Sequence, residues 1–138
     1  MTRFTFLCAL VLGTAFAGCS RSDQPETAVV TGVITMDGTP VENVFVVFRP
    51  LSGGRSSSGR TDAQGLYALQ YNPQTAGAKI DKHSVTLLTS QEPTIGDDGK
   101  VIVPAVPEKF SKEFTDGSLE REVKAGKNEF NFEATPKK

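Results

Sequence analysis

The sequence predicts an all-β chain, a seven-stranded antiparallel β-sandwich, and three observations predict it. The run Leu66–Tyr71 alternates, with Tyr67, Leu69 and Tyr71 on one side and Leu66, Ala68 and Gln70 on the other, which is the period of a strand with unequal faces. Thirteen glycines and eight prolines supply turns for many short strands. No stretch sustains a helical period. Two antiparallel sheets packed face to face are the simplest way to bury one apolar face of each of so many short strands.

The elements follow in order. Ser20–Thr27 is polar, contains Pro25 and suits a tether. Ala28–Met36 is dense in Val, Ile and Thr, so it reads as the first strand; Gly32 in its middle implies a bulge or a close neighbour. Asp37-Gly38-Thr39-Pro40 closes a hairpin, Asp-Gly being a strong hairpin signal. Val41–Phe48 is the second strand, apolar on both faces and hence central. Arg49–Ser57 is a connector: its glycines are not followed by the Lys-Ser/Thr and helix that a phosphate-binding loop needs. Ser58–Thr61 and Leu66–Tyr71 flank the turn Asp62-Ala63-Gln64-Gly65, in which Asp62 starts the turn and Gly65 supplies a positive φ.

After the loop Asn72–Asp81, the strand Lys82–Ser90 places His83, Val85 and Leu87 on one face. Gln91–Gly117 reads as a long connection without regular structure. Its first part, through Lys100, is polar and should be a mobile tip, whereas Phe110 should dock on the sandwich and hold Val101–Phe110 as an extended cover. Ser118–Lys124 and Asn128–Ala134 read as a last hairpin through Ala125-Gly126-Lys127. The expected core is Val30, Ile34, Val44, Val46, Phe48, Tyr67, Leu69, Val85, Leu87, Leu119, Val123, Phe130 and Phe132.

The first eighteen residues are read as a signal peptide, with Arg3 as the only charge ahead of an apolar stretch too short to span a bilayer. Ala17-Gly18-Cys19 resembles the bacterial lipobox, although Phe16 stands where Leu is usual; the resemblance implies that Cys19 is acylated and becomes the mature N-terminus. Residues 1–18 are then the signal, 19–27 the lipidated Cys and tether, and 28–135 the sandwich domain. The other cysteine, Cys8, lies within the signal, so the exported domain has no disulfide and depends on its core. Removing Met1–Gly18 changes the formal charge from −1 to −2, because only Arg3 is lost. That balance gives no electrostatic footprint for nucleic acid. The expected address is exported and anchored to the cell envelope, on the periplasmic or outer-membrane face.

Val30-x-Gly32, Gly38-x-Pro40-Val41-x-Asn43-Val44-x-Val46-x-Phe48 and Gly59-x-Thr61-Asp62-x-x-Gly65-x-Tyr67-x-Leu69 resemble the carboxypeptidase regulatory-like domain. The resemblance implies a transthyretin-like, immunoglobulin-like sandwich, with Thr61, Asp62, Gly65 and Tyr67 as its turn motif. The tail, with Pro107-Glu108-Lys109-Phe110 and Gly126-Lys127-Asn128-x-Phe130-x-Phe132, is similar to small planctomycete-type lipoproteins carrying that domain. The motif speaks for a fold and not for a ligand.

Candidate chemistry is sparse. His83 is the single imidazole, so the usual Zn or Cu ligand sets cannot be assembled, and a strand-end His with an ordinary hydrogen bond is the favoured role. Asp97 and Asp98 lack the spaced carboxylates of a Ca²⁺ loop and read as turn residues. Hydroxyisourate hydrolases of the transthyretin-like group need several His and Arg and a Tyr-Arg-Gly-Ser terminus, and this chain ends Ala134-Thr135-Pro136-Lys137-Lys138. Intradiol dioxygenases need two His. Ser56-Ser57-Ser58-Gly59 lacks the strand-to-helix elbow of a nucleophile. The expectation is a non-catalytic, lipid-anchored envelope protein, a binding, adhesion or structural module without metal or cofactor. Its partners are the membrane, through Cys19, and an envelope protein or carbohydrate. The alternative is an envelope hydrolase or carbohydrate-acting enzyme with an unrecognised site.

Overall fold

Ten residues, Thr27–Met36, form β1, and one whole sheet is assembled along them. The structure, a computed structural model, describes residues 23–138; residues 1–18, read above as a signal peptide, and Cys19 lie outside the described residues. The remaining strands, in chain order, are β2 (Thr39–Pro40), β3 (Phe45–Pro50), β4 (Ser57–Arg60), β5 (Leu66–Ala68), β6 (Gln70–Asn72) and β7 (Thr75–Ala76). They continue with β8 (Ala78–Lys79), β9 (Asp81–Leu88), β10 (Thr94–Ile95), β11 (Val101–Val103), β12 (Leu119–Val123), β13 (Lys127–Glu129) and β14 (Phe132–Ala134). A single helical turn, α1, spans Lys112–Thr115.

The chain is a β-sandwich. On one side of β1 lie β2, β5 and β8, antiparallel to it; on the other lie β13 and β14, which run parallel to it. Thr31 faces Ala68 on the first side and Glu129 on the second, so β1 is interior along its length. The second sheet has the order β12-β9-β3-β4-β6-β7. Alternation gives both sheets their inner faces: Ala28, Val30 and Ile34 from β1 meet Val46 and Phe48 from β3 and His83, Val85 and Leu87 from β9.

The parallel C-terminal strands depart from the all-antiparallel expectation, and three expected pairings change for one reason. The chain switches sheets where the sequence reads as continuous or as a tight hairpin. Asn43, in the left-handed region at φ 65, breaks Val41–Phe48, so β2 stays with β1 while β3 enters the second sheet. Leu66–Tyr71 divides at buried Leu69: β5 pairs with β1, and β6 meets β4 only at Ser58–Gln70. Ser118–Lys124 and Asn128–Ala134 are not a hairpin, because β12 pairs with β9 while β13 and β14 pair with β1. At that crossing the Asn128 amide replaces a backbone ladder. It accepts from Lys124 N–H at 3.0 Å and donates to the carbonyls of Lys124 at 2.8 Å and Val29 at 3.1 Å.

The expected core residues are buried except Leu119 and Phe130, which pack against the core half-covered. Phe110 and Phe114 join the core, their rings 6.3 Å apart. Phe110 thus docks as expected, but Val101, Ile102 and Val103 do not form a cover. They pair with Thr94–Ile95 in a separate ribbon and stay exposed, so the segment is neither structureless nor apposed to the sandwich.

Candidate functional site

The Thr61–Tyr67 motif is where the sequence concentrates its signal, and the Thr61 and Tyr67 hydroxyls and the Asp62 carboxylate are engaged in the fold. Thr61 Oγ1 accepts from Val44 N–H at 2.8 Å and donates to the Val41 carbonyl at 2.7 Å. Its backbone N–H bonds the Val44 carbonyl and its carbonyl receives Asn43 N–H, so one buried threonine fixes the crossing from β2 to β3. Asp62 Oδ1 accepts from the backbone N–H groups of Gln64 and Leu66 at 2.9 and 3.0 Å, and Gly65 N–H closes the turn on the Asp62 carbonyl. Gly65 has φ 73, and a Cβ there would lie 2.6 Å from the Ile34 carbonyl oxygen. Tyr67 is 4% exposed and its hydroxyl donates to the Phe130 carbonyl at 2.6 Å. Burial pushes the Tyr67 phenol well above its ordinary value, an effect the nearby Arg121 charge only partly offsets. The two hydroxyls and one carboxylate oxygen of the motif are therefore taken up by the fold.

His83 is fully buried, tilted against the Phe48 ring at 5.7 Å, with Nε2 2.8 Å from the Lys79 carbonyl; Nδ1 has no protein partner. Among the described residues no group of three or more His, Cys, Asp or Glu converges as a metal site. A cluster resembling a nucleophile with a base is formed by Ser52, Lys79 and Asp81. Lys79 Nζ donates to Ser52 Oγ at 2.7 Å and lies 3.6 Å from Asp81 Oδ2, while Ser52 Oγ donates to that same carboxylate. The bond from Ser52 holds the Asp81 carboxyl below its usual range. The lowered carboxyl is a weak base for the hydroxyl that donates to it, and the three groups tie the Ser52–Gly53 loop to Lys79 and Asp81.

The other candidate is the arm Ser90–Lys109. Gln91 and Val106 exchange both backbone hydrogen bonds at its base, at 2.9 Å each, and β10 and β11 form its ribbon. Asp97 and Asp98 sit in the turn as expected: Asp98 Oδ1 accepts from Lys100 N–H at 3.1 Å, and Gly99 has φ 77. Ile95, Val101, Ile102 and Val103 are 52%, 59%, 67% and 44% exposed, half of the large apolar residues the fold leaves open. A cleft of about 430 Å³ lies against the base, lined in part by Met36, Val41, Asn43, Gln91, Val106 and Lys109.

Glu108 fastens the arm to the sandwich. Its carboxylate accepts from Thr89 Oγ1 at 2.6 Å and from the backbone N–H groups of Thr89, Ser90 and Phe110 at 2.9, 3.1 and 3.0 Å. Burial pushes its pKa up, but the bonds from Thr89, Phe110 and Ser90 outweigh this and hold it below the ordinary glutamate value. Sequence reading passed over both Glu108 and the ribbon; the consecutive β-branched run Val101-Ile102-Val103 was the available signal.

Comparison with protein-family models finds no match, and comparison with curated proteins finds none. Among solved structures the chain is similar to a 9R-lipoxygenase from Cyanothece PCC8801, at 16% identity and a TM-score of 0.43. The alignment covers 78% of this chain and 16% of the lipoxygenase, and no function is carried over from it.

Proposed function

We propose that the chain is a lipid-anchored, non-catalytic protein of the cell envelope. It works as a binding module, presenting the Thr94–Val103 ribbon to a partner protein. The observation that carries this reading is the ribbon: two short strands with three successive β-branched residues open to solvent. A two-stranded ribbon is marginal in water by itself, and an exposed apolar strand with an unpaired edge is a template for another strand. No aromatic ring lies between Thr94 and Val103 to stack on a sugar, which favours protein over carbohydrate. The lipobox-like Ala17-Gly18-Cys19 supports the anchor, and the turn motif supports a seven-stranded, transthyretin-like sandwich of the carboxypeptidase regulatory-like kind. The hydrogen bonds that hold Thr61, Asp62 and Tyr67 in the fold, and the full burial of His83, support a non-catalytic role.

The test is photocrosslinking in cells from position 102, with position 64 in the Asp62–Gly65 turn as control. One discrete adduct at 102 that is lost in Val101→Asp is expected; equal labelling from both positions removes the ribbon from the reading. Mass spectrometry of the native N-terminus tests the anchor separately: acyl groups on Cys19 are expected, and their absence ends the lipoprotein reading.

A further inference from the structure

We infer that the N-terminal end of the sandwich rests on anionic lipid headgroups, with the Leu51–Arg55 loop at the contact. This rests on the lipid-anchor reading and adds an orientation to it. β1 spans roughly 30 Å at the usual rise of a strand, so the molecule has two distinct ends. The tether enters at the first: Thr27 pairs with Lys79, and Ile80 N–H bonds the Glu26 carbonyl. The arm leaves from the second, where Met36 and Gln91 line one cleft.

Three separate segments bring cations to the tether end. Leu51 N–H bonds the Lys82 carbonyl, and Lys79 Nζ holds Ser52 Oγ and the Gly53 carbonyl, so the loop Leu51–Arg55 is fixed beside Lys79 and Lys82. Val123 pairs with Asp81, which sets the turn Lys124–Lys127 at the same end. Arg55, Lys82, Lys124 and Lys127 are exposed and make no ion pair among the described residues. Leu51 stands 52% exposed among them, and a Cβ built at Gly53 or Gly54 meets nothing within 4 Å, so the loop tip is open. An apolar side chain rimmed by cations suits the headgroup layer, where the chain dips in and the charges meet phosphates.

The acidic groups at this end are Asp81, bound by Lys79 and Ser52; Glu122, opposite Lys82 across the β12–β9 ladder; and Asp23 and Glu26 in the tether. At the arm end Asp37, Glu42, Asp62, Glu92, Asp97, Asp98, Glu108 and Glu133 outnumber Arg60, Lys100, Lys109, Lys137 and Lys138. An anionic surface therefore attracts one end and repels the other. The length of the tether selects the occupant. Seven residues, Ser20–Glu26, lie between Cys19 and Thr27, so the acylated Cys can stand no more than about 29 Å from the start of β1. The tether end is thus held near the bilayer at high effective concentration, where a weak contact is enough to set orientation.

The experiment uses the full acylated chain on vesicles of phosphatidylcholine alone or with phosphatidylglycerol, carrying a fluorophore at Gln74→Cys at the tether end or Gln64→Cys at the arm end. Quenching by brominated lipid is expected to be about fivefold stronger at position 74 than at 64 on anionic vesicles. That contrast should shrink, to the part the anchor alone sustains, on neutral vesicles and in the Lys82→Glu/Lys124→Glu/Lys127→Glu chain. Equal quenching at both positions, or a contrast indifferent to lipid charge and to the reversals, overturns the inference while leaving the anchor standing. Failure of the acylated chain to sediment with neutral vesicles would instead count against the anchor. In that event salt-sensitive binding of Cys19→Ser to anionic vesicles, lost on charge reversal, upholds the basic end, and no such binding overturns it.

Discussion

The Tyr67 hydroxyl reaches across the first sheet to the Phe130 carbonyl at 2.6 Å, and the space beneath that carbonyl is the missing side chain of Gly32. A Cβ on Gly32 would lie 1.9 Å from the Phe130 oxygen and 2.8 Å from Tyr67 Cε1. The three residues are one device, in which the glycine admits a backbone carbonyl that the tyrosine then satisfies.

Tyr67→Phe should therefore cost about 1–2 kcal/mol, leaving a covered carbonyl without its donor. Gly32→Ala should cost more, about 4 kcal/mol or beyond, since backbone and ring must both move. Urea midpoints of the two variants check this. A Gly32→Ala loss smaller than that of Tyr67→Phe would mean the carbonyl is not where β13 and β14 place it.

Gly65 and Gly99 have nearly the same φ, 73 and 77, but only Gly65 has a neighbour in the path of a Cβ. Gly99→Ala should lose about 1 kcal/mol from the left-handed backbone alone. Gly65→Ala should lose at least twice as much, because the Ile34 carbonyl at 2.6 Å adds a clash. Thermal melts of the pair separate strain from collision.

Glu108 makes stability depend on pH with a definite sign. Its folded pKa lies below its unfolded value, so its contribution is complete above the ordinary glutamate range, near pH 4.5, and fades as pH falls through the lower folded value. Glu108→Gln should cost about 1 kcal/mol at pH 7, at the low end for a charge-assisted cluster because solvent screens it. The variant should also show a shallower acid limb. Chemical denaturation at pH 7, 5 and 3 reads both effects.

The arm should divide into a dispensable tip and an essential root. Replacing Thr94–Val103 by a short Gly-Ser link should leave the melting temperature nearly unchanged, since its apolar residues bury little. Phe110→Ala should cost about 3–5 kcal/mol, because the ring is 1% exposed and packs on Phe114. Limited proteolysis should cut between Gly96 and Gly99 before the sandwich opens.

Much of this was legible in the residues. Asp62 and Gly65 specify their turn by local chemistry, a carboxylate within reach of the following N–H groups and a residue free to take positive φ. Val30, Ile34, Val46, Phe48, Val85 and Leu87 declare their burial through alternation, and Phe110 stands out as a ring following two prolines in a polar stretch. Gly32 signals its close neighbour by having no side chain where one is due.

The tertiary structure alone decided which sheet each strand joins. Alternation reports which face of a strand is buried, and here both sheets turn that face to one shared core. Leu66–Ala68 and Gln70–Asn72 can thus belong to different sheets without any break in their pattern. The same holds for Leu119–Val123 and Lys127–Glu129, whose short connection looks like a hairpin but bridges the sandwich. The exposed ribbon and the gathering of Lys82, Lys124 and Arg55 at one end were hidden for a related reason. They are set by where separate segments meet in space, and hydrophobic period and net charge both average over that.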